Sequence, residues 1–140
     1  MTTPAGGIPE GFRPLDVFDD FVRLVGPLYV RLEPDGPRLG LLLEPRHGNP
    51  LGIAHGGCLV TLADMVMGVG CGFATGVAAT HPTITLNTDF VRGARIGNWI
   101  DGKAVITRRT PNFVFARCDL VCAGDVVVSA SGVFKVPSRP

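Results

Sequence analysis

The hydrophobic rhythm of the chain changes near Thr80. Beyond it, Thr83, Thr85, Asn87 and Asp89 alternate with Ile84, Leu86, Thr88 and Phe90, the period of two of a half-buried strand. A turn near Arg92-Gly93-Ala94 leads to a long strand over Trp99–Arg109. Thr110-Pro111-Asn112 turns the chain into Phe113–Cys122, and Ala123-Gly124-Asp125 makes a tight hairpin into Val126–Val136. In that last strand Val126, Val128, Ala130, Gly132 and Phe134 share a face, and its small residues leave room for a helix to lie close. Before Thr80 the pattern differs. Residues 1–13 are rich in Gly and Pro and read as a flexible lead-in. Leu15, Phe18, Phe21, Val22 and Val25 fall on one stripe, which predicts a short helix over Leu15–Leu24, ended by Pro27. Leu28–Glu33 and Arg38–Glu44 read as strands around the turn Pro34-Asp35-Gly36-Pro37. Pro45–Ala54 is a loop, and one long helix runs from Gly56 to about Phe73.

That long segment holds a single charged side chain. From Gly56 to Thr80 only Asp64 is acidic or basic. Its neighbours one turn away are Val60, Thr61, Met67 and Gly68, so the helix is expected to be buried nearly all round. A carboxylate in such company carries a large desolvation cost unless it is paired or points into a wet cleft. The element order is a short helix, a hairpin, one long helix and a four-strand meander. It predicts an α+β domain over residues 14–137, its curved antiparallel sheet of about six strands wrapped round the long helix.

Composition adds three constraints. A chain of 140 residues suits one domain with its own core. The net charge of +1 gives no reason to expect a nucleic-acid partner. Mean hydropathy is +0.32, high enough to predict apolar surface buried between subunits. Gly56–Ala79 is long enough to raise a membrane span, but Asp64, the many glycines and the alternation that follows argue against one. The N-terminus has neither the basic start nor the apolar stretch of a signal peptide. The expectation is a cytoplasmic protein off the membrane, with Cys58, Cys71, Cys118 and Cys122 as reduced thiols. No Cys/His spacing suggests a metal site.

Among motifs, Gly68-Val69-Gly70-Cys71-Gly72 follows no strand and lies late in a helix, so it is read as a packing feature rather than a dinucleotide loop. No G-x-S-x-G elbow is present, and Ser129 and Ser131 sit mid-strand. His55-Gly56-Gly57 opens the long helix. Free N–H groups and the helix dipole there favour a negative oxygen. The same residues also suit an ordinary turn and cap.

Asn49, His55-Gly56-Gly57 and Asp64, set in this element order, resemble the hotdog-fold acyl-CoA thioesterases, most closely the phenylacetate-pathway (PaaI-like) branch. The resemblance runs from about Leu15 to Val136. It implies that Asp64 is the catalytic acid, acting as general base or nucleophile. It also implies that the Gly57 N–H polarises the thioester carbonyl, and that Asn49 and His55 lie near the carbonyl and sulfur. Thr83 falls where related enzymes place a Ser or Thr that orients the acid or water. The resemblance further implies a homodimer or homotetramer, with Asp64 and Thr83 of one subunit facing Asn49, His55 and Gly57 of the other. The substrate is then an acyl-CoA, and no cofactor is needed, because coenzyme A is part of the substrate. Gly56, Met67 and Gly68 are expected at the substrate, with Phe18 and Phe21 in the pocket wall. Arg92, Arg95, Arg108 and Arg109 are candidates for the coenzyme A phosphates or for ordinary surface charge.

Two other functions fit the same fold. A dehydratase or hydratase would pair His55 with Asp64 across the acyl α and β carbons; the glycine pair and Asn49 favour thioester hydrolysis. A non-catalytic acyl-CoA binder is the other.

Overall fold

The computed structural model describes residues 7–16 and 19–138. In chain order its elements are β1 (Arg13–Pro14), α1 (Asp20–Val25), β2 (Tyr29–Glu33), β3 (Gly36–Leu42), a 3-10 turn (Pro45–His47), α2 (Gly56–Thr75), β4 (Thr83–Phe90), β5 (Trp99–Lys103), β6 (Val105–Arg109), β7 (Phe113–Cys122) and β8 (Asp125–Lys135). The strands form one antiparallel sheet of eight, ordered β1-β2-β3-β5-β7-β8-β4, with β6 also pairing β7. The two strands beyond the expected six have simple origins. β1 lies in the predicted lead-in, where Arg13 and Pro14 pair with Val30 and Tyr29. Phe12 is also ordered, meeting Trp99 edge-on at 4.8 Å beneath the Arg31 guanidinium. The predicted strand Trp99–Arg109 breaks at Ala104 into β5 and β6, and the break bends the sheet round α2.

α2 starts at His55, whose side chain accepts from the Gly57 N–H, and stops at Gly76, which takes the left-handed conformation glycine favours. Gly70 faces Ala104 so closely that a Cβ there would collide with the alanine methyl. The helix therefore sits directly on the bend between β5 and β6. Leu59, Leu62, Ala63, Val66, Met67, Gly70 and Cys71 are its buried residues. They join Leu39, Leu41, Ile100, Val114, Leu120, Val128 and Phe134 of the sheet in one core.

Three expectations change. α2 is buried along one face, not all round: Val60, Thr61, Asp64, Met65, Gly68 and Val69 are only half-buried, because a single sheet covers a single side. α1 begins at Asp20 instead of Leu15. Asp19 stops it from starting earlier by capping the Val22 N–H at 3.2 Å; Phe18 lies outside the described residues. In β8, Val126 is exposed and Val127 takes a core position. A register shift sets Leu120 opposite Val128 but Val121 opposite Val126, leaving Val127 as the extra residue of a bulge.

Candidate active site

The loop before α2 is tied down by its own backbone. The Asn49 N–H donates to the Ile53 carbonyl and the His55 N–H to the His47 carbonyl. Asn49 Oδ1 accepts from the Leu51 N–H at 2.9 Å, an Asx turn that engages the amide oxygen and leaves the amide NH2 without a protein acceptor among the described residues. The Gly57 N–H donates to His55 Nδ1 at 2.8 Å. The donor expected to polarise a carbonyl is thus held by an exposed imidazole, which a ligand oxygen must displace. The Gly56 N–H has no acceptor among the described residues. Phe90 lies over Gly56, with its ring edge 3.2 Å from where a Cβ would stand.

Asp64 lies two helical turns on, and the structure gives it a partner. The Thr83 hydroxyl donates to Asp64 Oδ1 at 2.6 Å. Simple alternation would place Thr83 with Thr85, Asn87 and Asp89 on the outer face. A register shift between Thr83 and Thr85 sets Thr83 opposite Phe134, whose side chain is in the core, while Thr85 stays opposite Val133. The bulge turns Thr83 inward toward α2. A short, charge-assisted bond of this kind fixes one carboxylate oxygen and leaves Oδ2 free. His55 and Asp64 form no ion pair.

The other expected residues scatter. Met67 is fully buried in the core. Gly68 is half-buried, with Phe134 the nearest side chain. Arg92 pairs with Asp125 at 3.2 Å. Arg95 is exposed and its backbone bridges Ile53, in the loop that carries Asn49. Arg108 and Arg109 lie on β6, where they pair with Phe115 and Val114 of β7. Among the described residues no three His, Cys, Asp or Glu side chains gather as metal ligands.

Beside the helix start opens a cleft of about 560 Å³, bounded by Phe21, Leu24 and Val25 of α1 and by Cys58 and Thr61 of α2; His55 and Gly57 also line it. Sequence reasoning found Phe21, His55 and Gly57 but missed Leu24, Val25, Cys58 and Thr61. Burial pushes the Cys58 thiol up from its ordinary range, against the pull of Arg46, so it is a neutral, weakly polar wall. Cys58 adjoins the Gly-Gly pair, so its place on the first helical turn was the signal available. Phe90 was also missed as a site residue.

One long apolar helix laid on a curved antiparallel sheet, with a polar helix start and a lone acid on its open face, is the hotdog thioesterase fold. The model of the Thioesterase superfamily matches residues 51–129. A curated Pseudomonas aeruginosa protein, named "Putative esterase PA0474", is 34% identical over 131 residues, covering 93% of this chain and 98% of that one. A mutant of the phenylacetic acid degradation protein PaaI from Thermus thermophilus superposes with a TM-score of 0.73 at 24% identity, over 84% of this chain and 100% of that one. The BH2602 protein from Bacillus halodurans, solved with CoA, superposes with a TM-score of 0.70 at 25% identity, over 79% and 74%. The chain belongs to the thioesterase superfamily, and its relatives support a thioester-hydrolysing activity in general.

Proposed function

We propose that the protein hydrolyses the thioester of an acyl-CoA to the free acid and coenzyme A, in a site completed by a second copy of the chain. The observation that carries this is the placement of the polar groups along α2. Gly57 and Asp64 are seven residues apart on one helix, which is about 10 Å along the axis and nearly the same face. A carbonyl held at the helix start is out of reach of Asp64 of the same chain. A second α2 running antiparallel across the half-buried face would set its Asp64 opposite Gly57. β4 ends the sheet, with β8 on one side and, among the described residues, no strand on the other. That free edge is a template for pairing with a second copy. A homodimer, or two dimers paired as a tetramer, follows.

In this reading the thioester oxygen replaces His55 Nδ1 as acceptor of the Gly57 N–H. The Gly56 N–H and the helix dipole add to the stabilisation of the oxyanion. Asp64, held through Oδ1 by Thr83, uses Oδ2 to take a proton from the water that attacks the carbonyl carbon, or attacks that carbon itself to form an acyl anhydride that water then hydrolyses to the free acid. The coenzyme A sulfur leaves and is protonated. Asn49 presents its amide NH2 beside the carbonyl, and His55 stays near the sulfur. Arg95, next to the Asn49 loop, is the better placed of the expected phosphate contacts, since Arg92 already has Asp125. The relative solved with CoA supports coenzyme A as the carrier. A cytoplasmic setting suits the four unpaired cysteines. The test is a screen of acetyl-, octanoyl-, palmitoyl- and phenylacetyl-CoA that monitors free thiol. Turnover of at least one, faster than the uncatalysed rate, supports the reading; turnover of none overturns it.

A further inference from the structure

The cleft beside α2 has one wall, α1, that reaches the core only through Val22. α1 is six residues long, and Phe21 and Leu24 are 60% and 74% exposed. So short a helix does not hold its own shape or place in water. Its C-terminal carbonyls are held from outside by the 3-10 turn before α2. Arg46 Nη1 donates to the Leu24 carbonyl at 2.6 Å, and Nη2 to the Gly26 carbonyl. Arg46 Nε donates to Glu44 Oε2 at 2.8 Å. His47 is buried; its Nδ1 accepts from the Glu44 N–H, and its Nε2–H donates to the Val25 carbonyl. Three consecutive carbonyls at the end of α1 are thereby clamped by two adjacent residues whose own backbone leads to His55.

We propose that this cleft receives the acyl group of the substrate, that the acyl group is uncharged and apolar, and that Arg46 and His47 latch α1 as the cleft's wall. The proposal rests on the thioesterase reading above. Gly57 and His55 line the cleft, so a carbonyl seated on the Gly57 N–H starts there and its chain continues along Cys58, Leu24 and Phe21. The cation at the rim is a poor recruiter of a carboxylated acyl group, because Glu44 already pairs its charge at 2.8 Å and three of its five N–H groups are committed to Glu44, Leu24 and Gly26. Cys58 and Thr61 offer no charge either, and the Thr61 hydroxyl is committed to the Gly57 carbonyl at 2.9 Å. Octanoyl or phenylacetyl groups fit this chemistry; succinyl does not. Arg46 is a positioning residue: it touches the wall and not the reacting atoms.

The test compares full-length wild type with Leu24→Trp, which narrows the cleft at an exposed position, and Arg46→Met, which keeps the stem but removes the latch. Each is assayed with acetyl-, octanoyl-, phenylacetyl- and succinyl-CoA, after a thermal melt. Wild type should prefer octanoyl- or phenylacetyl-CoA to succinyl-CoA. Leu24→Trp should lower the octanoyl-to-acetyl ratio of kcat/KM about tenfold, the scale of lost pocket contacts. Arg46→Met should raise KM for octanoyl-CoA more than it lowers kcat, as loss of uniform binding does. If Leu24→Trp instead raises KM equally for every acyl-CoA and weakens product inhibition by coenzyme A, the cleft holds the carrier and the acyl assignment is overturned. A wild-type preference for succinyl-CoA overturns it as well. Wild type that hydrolyses none of the four overturns the thioesterase reading and this inference together.

Discussion

In the proposed mechanism Asp64 and Gly57 divide the chemistry between a side chain and a backbone donor, and each has its own signature in kinetics. Asp64 keeps a hydroxyl donor at 2.6 Å, so Asp64→Asn is nearly isosteric. It should fold and melt as wild type does while losing turnover by about 10²–10⁴-fold, the usual loss for a positioned acid–base group. A folded Asp64→Asn enzyme at near wild-type rate would remove Asp64 from the mechanism. In that mechanism Thr83 acts only through Asp64. Thr83→Val should cut kcat about tenfold, in line with losing a hydrogen bond to a charged group. Its melting temperature should hold, since Thr83 is exposed; a drop in stability that matches the drop in rate would point to a fold defect instead. The His55–Gly57 bond shows what sequence cannot carry. The glycine pair announces a backbone donor, but whether that donor stands open or capped depends on one imidazole rotamer.

Elements were legible where a local period decides them. The hairpin at Ala123-Gly124 has φ of 52° and 83°, the left-handed pair that a two-residue turn requires, and its position could be read directly from the sequence. Strands β4, β7 and β8 and the start of α2 at His55 were equally readable. The bulges at Thr83/Thr85 and Val127 were not, because an extra residue inside an alternating run leaves the run looking alternating. The first of these decides the site, since it turns Thr83 onto Asp64. The latch on α1 was invisible for another reason: Arg46 meets Leu24 and Gly26 across 22 and 20 residues of sequence. On the outer sheet, Glu33 collects Lys103 at 2.9 Å, Arg31 at 2.8 Å and Arg38 at 3.2 Å. The Lys103 bond foremost, then those of the two arginines, lower its carboxyl from 4.5 to about 2. A carboxyl depressed on folding adds stability above its unfolded pKa and loses it as pH falls through the folded one. The melting temperature should therefore fall from about pH 4.5 down to about pH 2, and Glu33→Gln should flatten much of that slope. An unchanged acid limb in Glu33→Gln would assign acid lability to other carboxyls.

At the scale of the whole molecule, high mean hydropathy, a half-covered helix and an edge strand unpaired among the described residues all accord with the proposed second copy. The sequence showed the apolar excess; only the fold shows that part of it, Val60, Met65 and Val69, lies half-buried on the side of α2 that carries Asp64. The central claim is that one chain's Asp64 serves the other chain's Gly57. It is tested most directly by mixing Asp64→Asn chains with Gly57→Pro chains, the proline removing the N–H at a position in the first helical turn where the ring is tolerated. Each variant alone should be nearly inactive. A shared site predicts that random re-pairing, with mixed dimers confirmed by native mass spectrometry, restores about a quarter of wild-type activity, because half the dimers are mixed and each regains one of two sites. Confirmed mixed dimers that stay as inactive as their parents would contradict a site built from two chains.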